Sequence, residues 1–419
     1  MSKYIIKKCP RLEGQVEISG AKNAVLPILA ACILTEKECV INSVPPLADV
    51  FVMLEILKSL GAEVSYDQSA KKAKIKAERI LRAKEEYDLA GKLRASFLIM
   101  GPLLARKGRA KIPLPGGCQI GTRPVDLHLK GFTELGAKTR QLHGFIEARC
   151  HKLTGEHIHL DFPSVGATEN IMMAAVMAEG VTVIENAAVE PEIVDLAEFL
   201  NKMGAKISDY GTNTITIKGV KSLKGARHTV IPDRIEAGTF MAAAAITGSE
   251  ITIKNADIDH LGAITAKLKE ANVETEVING GLKVYPKGEL TAFDLKTMPY
   301  PGFPTDLQAV FMSLDAVAKG TGVITETVFE NRFLQAGELN RMGADIKTDG
   351  RTAVVDGVKK LMGTQVKATD LRAGAALIVA ALKAEGETEI GDIYHIERGY
   401  CSIVEKFKGL GAQIIRVEE

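Results

Sequence analysis

The sequence predicts a mixed α/β (α+β) protein of two domains, each built from three copies of one supersecondary unit. Three observations carry this. One phrase recurs: SLGAEV at 59–64, ELGAKT at 134–139, KMGAKI at 202–207, RMGADI at 341–346 and GLGAQI at 409–414, with a degraded copy, EANVET, at 270–275. The marks fall at 61, 136, 204, 272, 343 and 411, at intervals of 75, 68, 68, 71 and 68 residues; a period this regular signals six repeats of about 70 residues. Six segments rich in Ala, Met and Leu nearly all round recur at the same spacing, and a helix apolar on every side is a buried one. Short alternating runs such as TVIENA (182–187) and ITIKNA (251–256) read as half-buried strands.

In chain order, a first strand over 4–6 precedes the first buried helix, AKNAVLPILAACIL (21–34). An amphipathic helix over 47–60 then stops at Gly61, because glycine takes the left-handed position that closes a helix. The second buried helix is LRASFLIMGPLLA (93–105). A strand over 109–114 leads into PGGCQIGTRPVD (115–126), which its prolines and glycines mark as a loop before a helix from 125. The remaining buried helices are VGATENIMMAAVMA (165–178), RIEAGTFMAAAAI (234–246), TDLQAVFMSLDAVA (305–318) and LRAGAALIVAALKA (371–384). The domain boundary is expected near 230, giving 22–230 as one domain and 1–21 with 231–419 as the other, the strand over 4–6 pairing with the far domain.

A length of 419 residues exceeds one ordinary core. A formal net charge of +1 leaves no global basic field for nucleic acid or an anionic membrane. Any anion site must therefore be built locally. The N-terminus has lysines but no apolar core, so it does not read as a signal peptide. The longest apolar run, 24–34, is too short to span a bilayer and contains Pro27. Six cysteines at 9, 32, 39, 118, 150 and 401 form no CxxC, and the eight histidines form no HExxH. A reducing, cytoplasmic setting with no disulfide framework and no metal site is expected. His157 and His159 alternate as surface strand residues do.

Chemistry concentrates in two places. The stretch 115–126 presents one thiol, Cys118, and one fixed cation, Arg123, among three glycines. Glycines let backbone approach a ligand, and nearby cations activate a thiol. Read alone, the stretch fits a glycine-rich connector with an incidental cysteine equally well, since free cysteines are often buried and inert. The other place is the set of buried-helix starts: Lys22 and Asn23, Arg94, Ser164 and Gly166, Asp233 and Arg234, Thr305 and Asp306, and Asp370 and Arg372. Helix N-termini offer unpaired N–H groups to anions. One Asp or Ser there is usually only a cap. Taken together, and with Arg123, Arg332 and Arg398, the set suits a ligand bearing several phosphates and carboxylates.

The motifs SGAKNAVLP, LRASFLIMGPLLA, LPGGCQIGTRPVDLHL, SVGATE, ENAAVEPEIVDLA, YPGFPTDLQA, ETVFENRF, TDLRAGAAL and IERGY together resemble the UDP-N-acetylglucosamine enolpyruvyl transferase (1-carboxyvinyltransferase, MurA) family, in order and over nearly the whole chain. The resemblance implies two inside-out α/β barrels, helices within and sheets outside. It implies a cytoplasmic enzyme that needs no metal or organic cofactor. Its substrates would be phosphoenolpyruvate and UDP-N-acetylglucosamine, joined at the sugar 3′-hydroxyl with release of phosphate for peptidoglycan synthesis.

By the same resemblance, Cys118 is the acid or covalent residue and the thiol alkylated by fosfomycin, and Asp306 is the base. Lys22, Asn23, Arg123, Arg332, Arg372 and Arg398 would hold phosphoenolpyruvate, with Lys22 and Arg398 also catalytic. Arg94, Arg123, Pro124, Val125, Asp126, Leu127, Ser164, Val165, Gly166, Asp306 and Val328 would hold the UDP-sugar. The glycines of 112–123 further suggest a segment that closes when the sugar nucleotide binds.

Two positions depart from the family pattern: Phe162 stands where well-known members carry a lysine, and Leu98 where many carry a tryptophan. DFPSVGATEN resembles the form found in low-GC Gram-positive members. Rival readings are the sister enzyme that makes 5-enolpyruvylshikimate 3-phosphate, which lacks the PGGC loop, and an RNA terminal-phosphate cyclase-like protein, which would need a catalytic histidine and a basic face.

Overall fold

A computed structural model describes residues 2–80, 94–114, 125–142 and 144–418, the side chains of 94 and 95 excepted. The chain divides into two compact units. One contains Met1–Ser19 and Pro232–Glu419; the other contains Gly20–Gly117 and Arg123–Ile231. Among the described residues, mixed α/β structure is organised around six small sheets.

The phrase that betrayed the repeat is a helix stop. Gly61, Gly136, Gly204, Gly343 and Gly411 all have positive φ, between +90° and +104°. The degraded copy keeps the conformation without the glycine: Asn272 has φ +63°, and Asn is among the few side chains that tolerate the left-handed region. Each mark thus turns a half-buried helix, such as Ala48–Ser59, into the following strand, Glu63–Asp67.

Five of the sheets share one pattern: an outer strand parallel to its neighbour, then two antiparallel pairings. The strand beside the parallel partner follows a buried helix. His157–His159, helix Val165–Ala175 and Val181–Glu185 form such a parallel crossover. Two sheets take their parallel strand from far along the chain. Gln15–Glu17 lies just before helix Lys22–Ala31 but pairs with Ile251–Lys254. Arg227–Thr229 lies just before helix Arg234–Thr247 but pairs with Cys39–Asn42.

The sixth repeat is completed from the other end of the chain. Lys3–Lys7 runs antiparallel between Glu387–Gly391 and Ile414–Val417. It occupies the place that Lys72–Lys76 fills in the first repeat, between Cys39–Asn42 and Glu63–Asp67. Tyr4 and Ile6 point into the core while their neighbours are less buried, the alternation expected of a strand with one buried face.

Helices Arg234–Thr247, Thr305–Asp315 and Leu371–Lys383 pack on one another and are buried almost throughout. In the other unit the second buried segment is split. Arg94–Ile99 is a 3-10 helix and Met100–Lys107 is α-helical, with Pro102 in the first α turn, where a missing N–H costs little. The helix expected from 125 starts at Asp126, with Val125 just outside it, and the strand expected over 109–114 is Arg109–Pro113. None of the described helices is long and apolar enough to cross a membrane.

Asp315, at the inner end of helix Thr305–Asp315, is fully buried. Its Oδ1 accepts the Phe293 backbone N–H at 3.1 Å, while Oδ2 has no partner. Burial, aided by the charge of Asp294, pushes its pKa from 3.8 up to about 8. The folded value lies above the unfolded one, so the native state holds the extra proton between them. The contribution of this group to stability is full below about pH 4 and falls as pH rises to about 8. Asp315→Asn mimics the neutral acid. Thermal melts should show the wild type losing ground to the variant from pH 5 to 8 and no further above that; a constant difference across this range would refute a neutral Asp315.

Candidate functional site

Thr305 and Asp306 form the first turn of helix Thr305–Asp315, entered through extended Pro304. The Asp306 carboxylate does not cap its own helix. Oδ1 accepts from Arg332 Nη2 at 2.6 Å and Oδ2 from Arg372 Nη2 at 2.7 Å. The arginine side chains are 4% and 6% exposed, that of Asp306 24%. Arg372 is delivered by the start of helix Leu371–Lys383, whose cap, Asp370, accepts from the backbone N–H groups of Arg372 and Ala373. Below it lies Tyr400, with the guanidinium 5.7 Å from the ring centre. The Tyr400 hydroxyl meets that of Thr239 at 2.8 Å.

Burial alone would raise the Asp306 pKa. The charges of Arg372 and Arg332, and their hydrogen bonds, outweigh it and hold the carboxyl well below the usual carboxylate range. Asp306 is therefore ionised across all neutral pH. Arg332 also keeps one buried N–H, at Nε, without a partner.

Arg332 is held from behind. Its Nη1 donates to Thr305 Oγ1 at 3.0 Å, and that hydroxyl donates to Glu326 Oε2 at 2.7 Å. Glu326 is 1% exposed. Its Oε1 accepts from Thr297 Oγ1 at 2.9 Å and from the backbone N–H groups of Val328 at 2.8 Å and Phe329 at 3.2 Å. Val328 thus sits on a turn tied to the same carboxylate that orients Thr305. Arg398, half-buried, follows the short helix Tyr394–Glu397.

In the other unit, Lys22 at the start of helix Lys22–Ala31 is paired with Asp49 of helix Ala48–Ser59 at 2.6 Å. Asn23 beside it is exposed. Ser164 caps helix Val165–Ala175 by accepting the Ala167 N–H at 3.4 Å, which leaves Val165 and Gly166 in the first turn. Helix Asp126–Glu134 begins nearby: a Cβ placed on Gly166 would lie 3.3 Å from the His128 ring. Asp126 is exposed, and Val125 and Leu127 are half-buried.

Asn170, fully buried, ties these segments together. It donates to Phe97 O at 2.9 Å, accepts the Gly101 N–H at 2.7 Å, and meets His128 Nδ1 at 3.1 Å. A side chain at Gly101 would strike it, since a Cβ there falls 2.2 Å from the Asn170 carbonyl.

Three groups of the expected residues are thus brought together: Asp306 with Arg332 and Arg372, Val328 with the Thr305 turn, and 125–127 with 164–166. Cys118, Arg123, Pro124 and the closing of 112–123 fall wholly or mainly outside the described residues, as does the side chain of Arg94. Phe162 is 44% exposed, and beside it Asp161 pairs with Lys130 at 2.9 Å. Leu98 is buried. Sequence reasoning missed Asp49, Asn170 and Glu326. Glu326 opens the motif ETVFENRF (326–333) and stands between two threonines, but neither feature distinguishes a buried acceptor from a surface one. Among the described residues, no group of three or more His, Cys, Asp or Glu side chains is placed to hold a metal ion.

Comparison with known proteins gives one consistent picture. The family model described as EPSP synthase (3-phosphoshikimate 1-carboxyvinyltransferase) matches residues 6–407. The chain is 60% identical over 415 residues, 99% of each chain, to UDP-N-acetylglucosamine 1-carboxyvinyltransferase 1 of Caldanaerobacter subterraneus subsp. tengcongensis. It superposes on the enolpyruvyl transferase NikO from Streptomyces tendae with a TM-score of 0.89, at 28% identity over 99% of each chain. An EPSP synthase from Acinetobacter baumannii shares the fold, with a TM-score of 0.77 over 100% of each chain, at 17% identity. The fold is therefore common to both branches and the sequence is close to only one of these relatives: the chain belongs to the enolpyruvyl (1-carboxyvinyl) transferase family, on the side of the UDP-N-acetylglucosamine 1-carboxyvinyltransferases.

Proposed function

We propose that this protein transfers the enolpyruvyl group of phosphoenolpyruvate to the 3′-hydroxyl of UDP-N-acetylglucosamine, releasing phosphate, as the first committed step of peptidoglycan synthesis in the cytoplasm. The observation that carries the reading is the Asp306 carboxylate, ionised at a helix start and gripped by two buried guanidiniums, in a chain 60% identical to an enzyme of that name.

The chemistry needs one proton given to carbon and one taken from oxygen. In the addition, the sugar oxygen bonds to C2 of phosphoenolpyruvate as its proton passes to Asp306, and C3 receives a proton from Cys118. In the elimination, C3 gives a proton back, the C2–O bond to phosphate breaks, and the double bond re-forms. Asp306 is suited to start as the base because its low pKa keeps it unprotonated. The same low pKa makes it weak, so its leverage lies in placement as much as in basicity.

Arg332, Arg372 and Arg398, with Lys22, Asn23 and Arg123, are assigned to the phosphate and carboxylate of phosphoenolpyruvate. Fixed donors of this kind stabilise charge without reorganising. Arg94, the residues from Arg123 to Leu127, Ser164 to Gly166, and Val328 are assigned to the UDP-sugar. At the level of the fold, we assign 22–230 and 1–21 with 231–419 to two inside-out barrels. The mutual packing of helices Arg234–Thr247, Thr305–Asp315 and Leu371–Lys383 supports this for the second.

The direct test is phosphate release from phosphoenolpyruvate. It should require UDP-N-acetylglucosamine and not respond to shikimate 3-phosphate; the opposite preference would move the protein to the sister activity.

Fosfomycin should add to Cys118 alone. Cys9, Cys32, Cys39 and Cys401 are buried, and burial pushes the Cys9, Cys32 and Cys150 thiols up, away from the reactive thiolate. Peptide mass spectrometry locates the label, and label on half-buried Cys150 instead would show that the wrong thiol has been assigned.

A further inference from the structure

The geometry points to Glu326 as a positioning residue for this reaction: one buried carboxylate sets both the turn carrying Val328 and, through the Thr305 hydroxyl, the Arg332–Asp306 pair. The inference rests on the function proposed above.

Among the described residues, the contacts made by the Glu326 carboxylate are all ones in which it accepts. Oε1 takes Thr297 Oγ1 and the N–H groups of Val328 and Phe329. Oε2 takes, among the described residues, the Thr305 hydroxyl. A hydroxyl has one proton to give. Because Thr305 gives its proton to Glu326, its lone pairs face Arg332 Nη1, 3.0 Å away. Arg332 then has one guanidinium nitrogen fixed by Thr305 and another fixed on Asp306. The direction of donation runs one way, from Arg332 through Thr305 to Glu326.

Bulk solvent has little access to this chain of contacts from the Glu326 side, since Glu326 is 1% exposed. Four donors thus satisfy one buried side chain. Glu326 touches no reacting atom in this scheme; it acts through Thr305 and through the backbone of the 326–329 turn.

The two oxygens separate the two duties, and this makes the idea testable. Thr305→Val removes the link to Arg332 and leaves the Val328 turn intact. Thr305→Ser restores the hydroxyl. Glu326→Gln keeps one acceptor oxygen but presents an amide that cannot accept from Thr305. All are assayed as full-length protein by phosphate release, with KM measured for each substrate and a thermal melt for each variant.

Thr305→Val should lose kcat by ~10-fold or more while KM for UDP-N-acetylglucosamine stays within about twofold, and Thr305→Ser should recover most of the loss, as expected when a catalytic group is misplaced rather than removed. Glu326→Gln should show the same fall in kcat, and its KM for UDP-N-acetylglucosamine should again stay within about twofold, because the remaining oxygen still accepts from Val328 and Phe329. Adding Thr305→Val to Glu326→Gln should cost little more, because both cut one path.

Equal activity in Thr305→Val and wild type, or equal loss in the Val and Ser variants, would overturn the proposal even if Glu326→Gln fails to fold. Wild-type protein that releases no phosphate with both substrates present would overturn the functional reading and this proposal with it. Wild-type turnover with normal variants would overturn this proposal alone.

Discussion

Asp306→Ala is expected to lower turnover of phosphoenolpyruvate and UDP-N-acetylglucosamine by at least ~10²-fold, the scale set by losing a positioned acid or base, while UDP-N-acetylglucosamine still binds. The structure adds a second consequence. Arg332 and Arg372 are 4% and 6% exposed in their side chains, and the substitution leaves both guanidiniums without their shared counter-charge. Removing one partner of a buried ion pair typically costs about 3–5 kcal/mol; Asp306, 24% exposed, keeps some water, so the lower end is expected.

Small anions should partly replace the missing carboxylate. Phosphate or phosphoenolpyruvate should raise the melting temperature of the variant by more than that of the wild type. In the wild type, the folded Asp306 pKa lies well below the unfolded 3.8. The ion-pair contribution is therefore complete above the unfolded value and lost only as pH falls through the folded one. Loss of activity between pH 8 and 5 must then come from other groups. A folded Asp306→Ala protein with near-normal turnover would remove Asp306 from the mechanism.

Cys118→Ala should be comparably inactive, with turnover down by ~10²–10⁴-fold from loss of the proton donor to carbon, and with the wild-type melting temperature. Binding of UDP-N-acetylglucosamine, followed by calorimetry, should survive. Here activity and stability are expected to separate, whereas for Asp306 both should fall. That contrast distinguishes a residue that only reacts from one that also neutralises buried charge. Turnover within a few-fold of wild type would remove Cys118 from the proposed mechanism.

Several features needed nothing beyond the sequence. The six helix stops were readable because the left-handed conformation is a local property that glycine satisfies and most residues resist. Even Asn272, read as a degraded copy, kept it. The buried helices were readable because an all-round apolar helix has no stable place at a surface. The motif around Asp306 was readable as a family pattern, and FPTDLQ announced a helix start.

Tertiary structure alone decided the rest. Asp306 meets Arg332 and Arg372, which lie 26 and 66 positions away in sequence; an ion pair depends on where separate elements end, and no local pattern records that. The same holds for Gln15–Glu17 and Arg227–Thr229, whose sheet partners lie more than two hundred and nearly two hundred positions away, respectively, in the registers found. It holds also for Glu326 and Asp315. Carboxylates that look like surface residues in a sequence become a hydrogen-bond hub and a neutral acid only because neighbouring strands and helices exclude water from them. Local conformation is written in adjacent residues, but burial and charge pairing are properties of the packed whole.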